Sequence, residues 1–152
     1  MVIEIEEKDR KEQICREILK TLPDWFGNPE SIEEYARNCR DLPLWAGMDG
    51  GTARGFIAFK PTSPCAGEVH VMGVRQEYHR HGLGRELFAS LYAYAKAEGF
   101  RFLTVKTVQM GRYPDYDRTN LFYRGLGFQE LECFPTLWDE ANPCQVYIMD
   151  VN

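Results

Sequence analysis

Apolar residues recur along this chain with two periods, and the places where the period changes mark out its elements. Val2 to Glu6 alternates apolar and acidic positions, which predicts a strand. Arg10 to Thr21 sets Ile14 and Ile18, with Leu22 just beyond, at helical spacing, and Pro23 stops that helix. Asn28-Pro29-Glu30-Ser31 opens a second helix carrying Ile32, Tyr35, Ala36 and Cys39 on one face, and Asp41-Leu42-Pro43 ends it. Leu44 to Met48 and Ala53 to Lys60 read as a hairpin, because Asp49-Gly50-Gly51 between them accepts the positive φ angles of a tight turn.

The second half continues the alternation of strand and helix. Glu68 to Val74 predicts a strand on which period two puts Glu68, His70 and Met72 on one face, Val69 and Val71 on the other. Leu83 to Glu98 predicts a helix with Leu83, Leu87, Leu91 and Ala95 inward, stopped by Gly99. Phe102 to Val108 is a further strand and Asp117 to Leu126 a short helix ended by Gly127. Phe128 to Phe134 and Gln145 to Val151 supply two last strands. The expected fold class is α/β, a mixed central sheet within one domain over residues 1–152.

Composition narrows the function classes. A chain of 152 residues, 44% hydrophobic and 27% charged, without repeats or charge runs, can bury an ordinary core. No apolar run approaches the ~20 residues of a membrane span, and Met1-Val2-Ile3-Glu4 lacks a signal-peptide pattern, so a cytoplasmic protein without a membrane partner is expected. The net charge of -5 argues against nucleic acid and suits a cationic substrate. Five cysteines, Cys15, Cys39, Cys65, Cys133 and Cys144, form no C-x-x-C pair, and neither they nor His70, His79 and His81 show metal-ligand spacing; no metal is expected. Oligomeric state is left open, a homodimer included.

The chemistry concentrates in His79-Arg80-His81-Gly82-Leu83-Gly84-Arg85, between a strand and a long helix. Glycines there let a ligand approach the backbone, and the unpaired N–H groups of a first helical turn favour an anion such as a pyrophosphate. A Rossmann G-x-G-x-x-G needs glycine where Leu87 stands, and a Walker A loop needs a Gly-Lys-Ser/Thr that is absent.

The segment resembles the coenzyme A signature Gln/Arg-x-x-Gly-x-Gly/Ala of the Gcn5-related N-acetyltransferases (GNAT), with His79 in place of Gln or Arg. Phe122-Tyr123-Arg124-Gly125-Leu126-Gly127-Phe128 is similar to that family's Phe-Tyr-x-x-x-Gly-Phe segment. The family often has Asn seven positions before the Tyr; here Tyr116 stands there, and Asn120 one turn later is the substitute. The resemblance implies the acyl-CoA N-acyltransferase fold, in which the fourth and fifth strands splay apart and pantetheine pairs with the fourth like an added strand. It implies cofactor contacts at Met72, Gly73, Val74, His79, Arg80, His81, Gly82, Leu83, Gly84, Arg85 and Asn120.

The implied reaction is direct transfer of acetyl from acetyl-CoA, as co-substrate, to a primary amine of a small molecule or peptide. An ammonium must first lose its proton, so a base is needed. Glu68 matches the family's general-base glutamate and burial could raise its pKa; His70 is the alternative base, and a structural pairing of Glu68 with Arg54 or Lys60 is the bland one. By the resemblance Tyr123 lies near the CoA sulfur, with Phe122 or Tyr123 facing the core and the other the split. Trp25, Phe26, Tyr35, Tyr113, Tyr116 and Trp138 are candidates for an acceptor pocket. The rival functions are a CoA-binding regulatory module without turnover, and an acyltransferase using a longer acyl-CoA or a protein N-terminus.

Overall fold

The computed structural model describes all 152 residues. Its order is β1 (Val2–Ile5), α1 (Lys8–Lys20), α2 (Pro29–Cys39), β2 (Leu44–Asp49), β3 (Thr52–Pro61), β4 (Ala66–Val74), α3 (Leu83–Ala97), β5 (Phe102–Val108), α4 (Pro114–Leu126), β6 (Gln129–Asp139) and β7 (Asn142–Asp150). The strands form one seven-stranded sheet in the order β1-β2-β3-β4-β5-β7-β6. Every neighbouring pair is antiparallel except β4 and β5, which run parallel.

The two faces of the sheet carry separate cores. Ile14, Ile18 and Leu19 of α1 and Ile32, Ala36 and Cys39 of α2 pack with Phe56, Ala58 and Val71. Leu87 and Leu91 of α3, joined by Tyr123 of α4, pack with Ile57, Phe59 and Val69. The caps follow local chemistry: the Asn28 side chain accepts from the N–H groups of Glu30 and Ser31, and α4 ends at Gly127 with φ 111°, an angle that favours glycine.

The sheet departs from simple alternation at one place that matters. Opposite Ala58 and Phe59 of β3 stand Val71 and Val69, so His70 is an extra residue, a β-bulge in β4. Val69 and Val71 therefore enter different cores rather than sharing a face, and Glu68 and Met72 are likewise separated. The hairpin β6–β7 is longer than its sequence suggests, because Pro135 sits on the sheet's outermost strand, where a missing N–H breaks no ladder bond. No helix is long and apolar enough to cross a membrane.

Candidate active site

The parallel pairing of β4 with β5 lasts only from Ala66↔Phe102 to Glu68↔Thr104; beyond it the strands diverge. A cleft of about 990 Å³ opens there, large enough for a small-molecule site. Lys106 Nζ lies 3.1 Å from Glu68 Oε2, tying the strands together where they part.

On one side the cleft is lined by backbone. Arg75 donates its N–H to Arg54 O on β3, and successive amides of a strand point to opposite sides, so the Val74 N–H faces the split. His79 Nε2 donates to the Val74 carbonyl at 2.7 Å, pinning the loop before α3 to the end of β4. That loop turns through two left-handed residues, Arg80 at φ 66° and Gly82 at φ 82°. Gly82 caps α3 without a side-chain bond, and the first internal bond is Glu86 N–H to Gly82 O, which leaves the amides of Leu83, Gly84 and Arg85 without helical partners. A Cβ on Gly84 would come within 3.0 Å of the Phe122 ring and 3.3 Å of Met72, so glycine lets α3 approach α4 this closely.

On the other side the cleft is lined by side chains. His70, at the bulge, lines it; Glu68 does not, but stands behind with Oε1 3.5 Å from His70 Nδ1. Burial acts most strongly on Glu68 and raises its pKa, yet the hydrogen bond from His70 and the Lys106 ammonium outweigh it and hold the carboxyl below its ordinary range. An ionised carboxylate can only accept, which puts the imidazole proton on Nδ1 and the lone pair on Nε2. His70 Nε2 is buried and has no hydrogen-bond partner in the protein. Pairing with Arg54 or Lys60 does not occur: Arg54 holds Asp49 instead.

Both Phe122 and Tyr123 line the cleft, rather than one of them facing it. Tyr123 packs on Phe128 and Tyr147, and burial pushes its hydroxyl pKa well above the usual tyrosine value, keeping it protonated. Two expected cofactor residues lie elsewhere. Asn120 is fully buried, donating to the carbonyls of Val108 and Tyr116 and accepting from the Tyr147 hydroxyl, so its polar atoms are spent inside the protein. His81 lines a separate small cavity with Arg54 and Glu86. Met72, Gly73, Val74, His79, Arg80, Gly82, Leu83, Gly84 and Arg85 all line the cleft. Of the aromatic candidates Trp25, Phe26, Tyr35 and Tyr116 line it, whereas Tyr113 and Trp138 are exposed outside. Lys106, 38 residues from the glutamate it pairs with, carries no sequence signal that separates it from a surface lysine.

The profile described as the acetyltransferase (GNAT) family matches residues 11–128. The chain belongs to that family. Over 85 residues it is 34% identical to N-alpha-acetyltransferase RimI of Mycobacterium tuberculosis, covering 54% of this chain and 49% of that protein. The matched part thus spans about half the length of this curated relative. An aminoglycoside 6'-N-acetyltransferase solved with coenzyme A superposes at TM-score 0.80, 16% identity, over 100% of this chain and 97% of that one. The ribosomal-protein-S18-alanine N-acetyltransferase of Escherichia coli superposes at TM-score 0.77, 16% identity, over 100% and 95%. At such identities these structures speak for the GNAT fold alone. The parallel β4–β5 pair that opens into a cleft is the feature the expected fold required.

Proposed function

We propose that this GNAT protein is an acetyl-CoA-dependent N-acetyltransferase acting on a primary amine by direct transfer. The observation that carries the reading is the split between β4 and β5, with unpaired amides at the Val74 edge and at the first turn of α3 on the same cleft. The pyrophosphate of the co-substrate suits the amides of Leu83 to Arg85, with Arg80 and Arg85 beside them. The Val74 N–H is the donor for the thioester carbonyl oxygen.

His70 is the base in this reading, and Glu68 a positioning residue that holds the imidazole through Nδ1 and leaves Nε2 as its unpartnered nitrogen. The ammonium loses a proton to Nε2, the freed amine nitrogen bonds to the acetyl carbon, the C–S bond breaks with the electron pair going to sulfur, and the second proton shed by the nitrogen passes to the leaving thiolate. Tyr123, kept protonated by its burial, donates a hydrogen bond to that leaving sulfur. Incubation with acetyl-CoA and a panel of amines, following thiol release, tests the reading. Release that depends on the amine is expected; CoA binding with no release from any amine would favour a regulatory module instead. Longer acyl-CoA donors in the same assay separate acetyl from wider acyl transfer.

A further inference from the structure

The net charge of -5 suggests an enzyme that attracts a cation, but the negative charge is not at the cleft. Only Asp24 and Asp115 contribute carboxylates to its lining, against Arg80, Arg85 and Arg118. Asp115 is paired with Arg118, which leaves exposed Asp24 as the lining's unpaired acid. A polycationic acceptor such as a polyamine or an aminoglycoside gains its affinity from several carboxylates held in place, and this site does not supply them.

What lies on the α1–α2 side of His70 is aromatic. Tyr35 meets the His70 ring edge-on at 5.4 Å between centroids, and Phe26 meets Tyr35 at 6.0 Å. Trp25 and Tyr116 complete the wall, and their polar atoms are used up in holding it. Trp25 Nε1 donates to Thr119 Oγ1 at 3.2 Å, and the Tyr116 hydroxyl donates to the Trp25 carbonyl at 2.7 Å. These bonds strap the α1–α2 connection to the start of α4 across the cleft, so Trp25 and Tyr116 offer ring surface and no free donor to whatever enters. Flat, apolar, rigid walls of this kind recognise a flat apolar body through burial and ring contact.

We infer that the acceptor is a primary amine carried on an aromatic body with no second positive charge, an arylalkylamine. Its ring lies among Trp25, Phe26, Tyr35 and Tyr116, and its amine is presented to His70, which lines the same cleft. The inference rests on the acetyl-transfer reading and sharpens it.

The test is thiol release from acetyl-CoA by the wild-type protein with 2-phenylethylamine and tyramine, set against spermidine, kanamycin and a hexapeptide with N-terminal alanine. At least one arylalkylamine is expected to exceed all three others in kcat/KM by tenfold or more. If any of the three comes within tenfold of the arylalkylamines, the inference is overturned and acetyl transfer stands. If none of the five releases thiol while CoA still binds, both fall together. Phe26→Leu, which keeps apolar volume and loses the ring, should raise KM for the preferred arylalkylamine by roughly tenfold, the scale of one lost ring contact, with kcat retained. An unchanged KM in that variant would remove the aromatic wall from recognition.

Discussion

The two halves of the cleft are made of different material. The half next to α3 consists of backbone: the Val74 edge of β4, a left-handed turn at Arg80 and Gly82, and three amides left over by a helix start. The half next to α1 and α2 consists of side chains from separate segments, with His70 from a bulge, Tyr35 from α2 and Trp25 tied to α4, and with Glu68 and Lys106 paired behind His70. A backbone site depends little on the side chains outside its glycines, because its donors are peptide groups. A side-chain site depends on each residue and on the packing that aims it.

That contrast predicts which substitutions hurt chemistry and which hurt binding. The largest effect belongs to His70→Gln: kcat should fall by about 10²- to 10⁴-fold, with acetyl-CoA affinity unchanged by calorimetry. Glu68→Gln should be milder because the amide oxygen still accepts from Nδ1; a larger loss from Glu68→Gln than from His70→Gln would reverse their roles.

Next comes Gly82→Glu, which puts an anion and a Cβ into the left-handed turn. CoA affinity should drop by at least about 30-fold, roughly 2 kcal/mol, as charge-assisted bonds are lost. Gly82→Ala is the control for the strain of φ 82° alone, and the difference between the two variants reports the phosphate.

Asn120→Ala sharpens the line between site and scaffold. It removes a donor from the Val108 and Tyr116 carbonyls and the acceptor of the Tyr147 O–H, which keeps only Arg124, so thermal or urea unfolding should show a loss of about 2 kcal/mol. CoA affinity of the folded variant should be retained; a specific loss of affinity would restore Asn120 to the cofactor site. Tyr123→Phe keeps the ring among Phe128 and Tyr147 and removes only the oxygen. We expect kcat to fall by about tenfold, the low end of acid catalysis, with stability and CoA affinity intact.

The smallest effect is that of Lys106→Met. Lys106 is 43% exposed at its side chain, so its pairing with Glu68 contributes below about 1 kcal/mol. Because the folded carboxyl pKa of Glu68 is lowered, this stability is present above the unfolded value near ~4.3 and is lost as pH falls through the folded one. The melting-temperature gap between wild type and variant should therefore be widest near neutrality and close in acid.

Much of the fold was legible in the residues themselves. Helix periodicity, the Asn28-Pro29 start, the Asp49-Gly50-Gly51 turn and the Gly127 stop are local properties, set by which dihedral angles and which faces a few neighbouring residues accept. The glycine-bounded start of α3 was legible for the same reason, since Gly82 and Gly84 declare a backbone need within a handful of positions. The bulge at His70 was not, because an extra residue in β4 is defined only by what β3 places opposite it. Without it, alternation misassigns the faces of Glu68, Val71 and Met72 and hides that His70, not Glu68, lines the cleft. Nor could spacing show that Lys106 would hold Glu68, or that Tyr116 and Trp25 would strap two distant segments together, 91 residues apart. Charges and hydrogen bonds act over a few ångströms in space without regard to distance along the chain, so the sequence alone determined the elements and the glycine-bounded start of α3, while only the tertiary packing decided which side chains meet in the cleft.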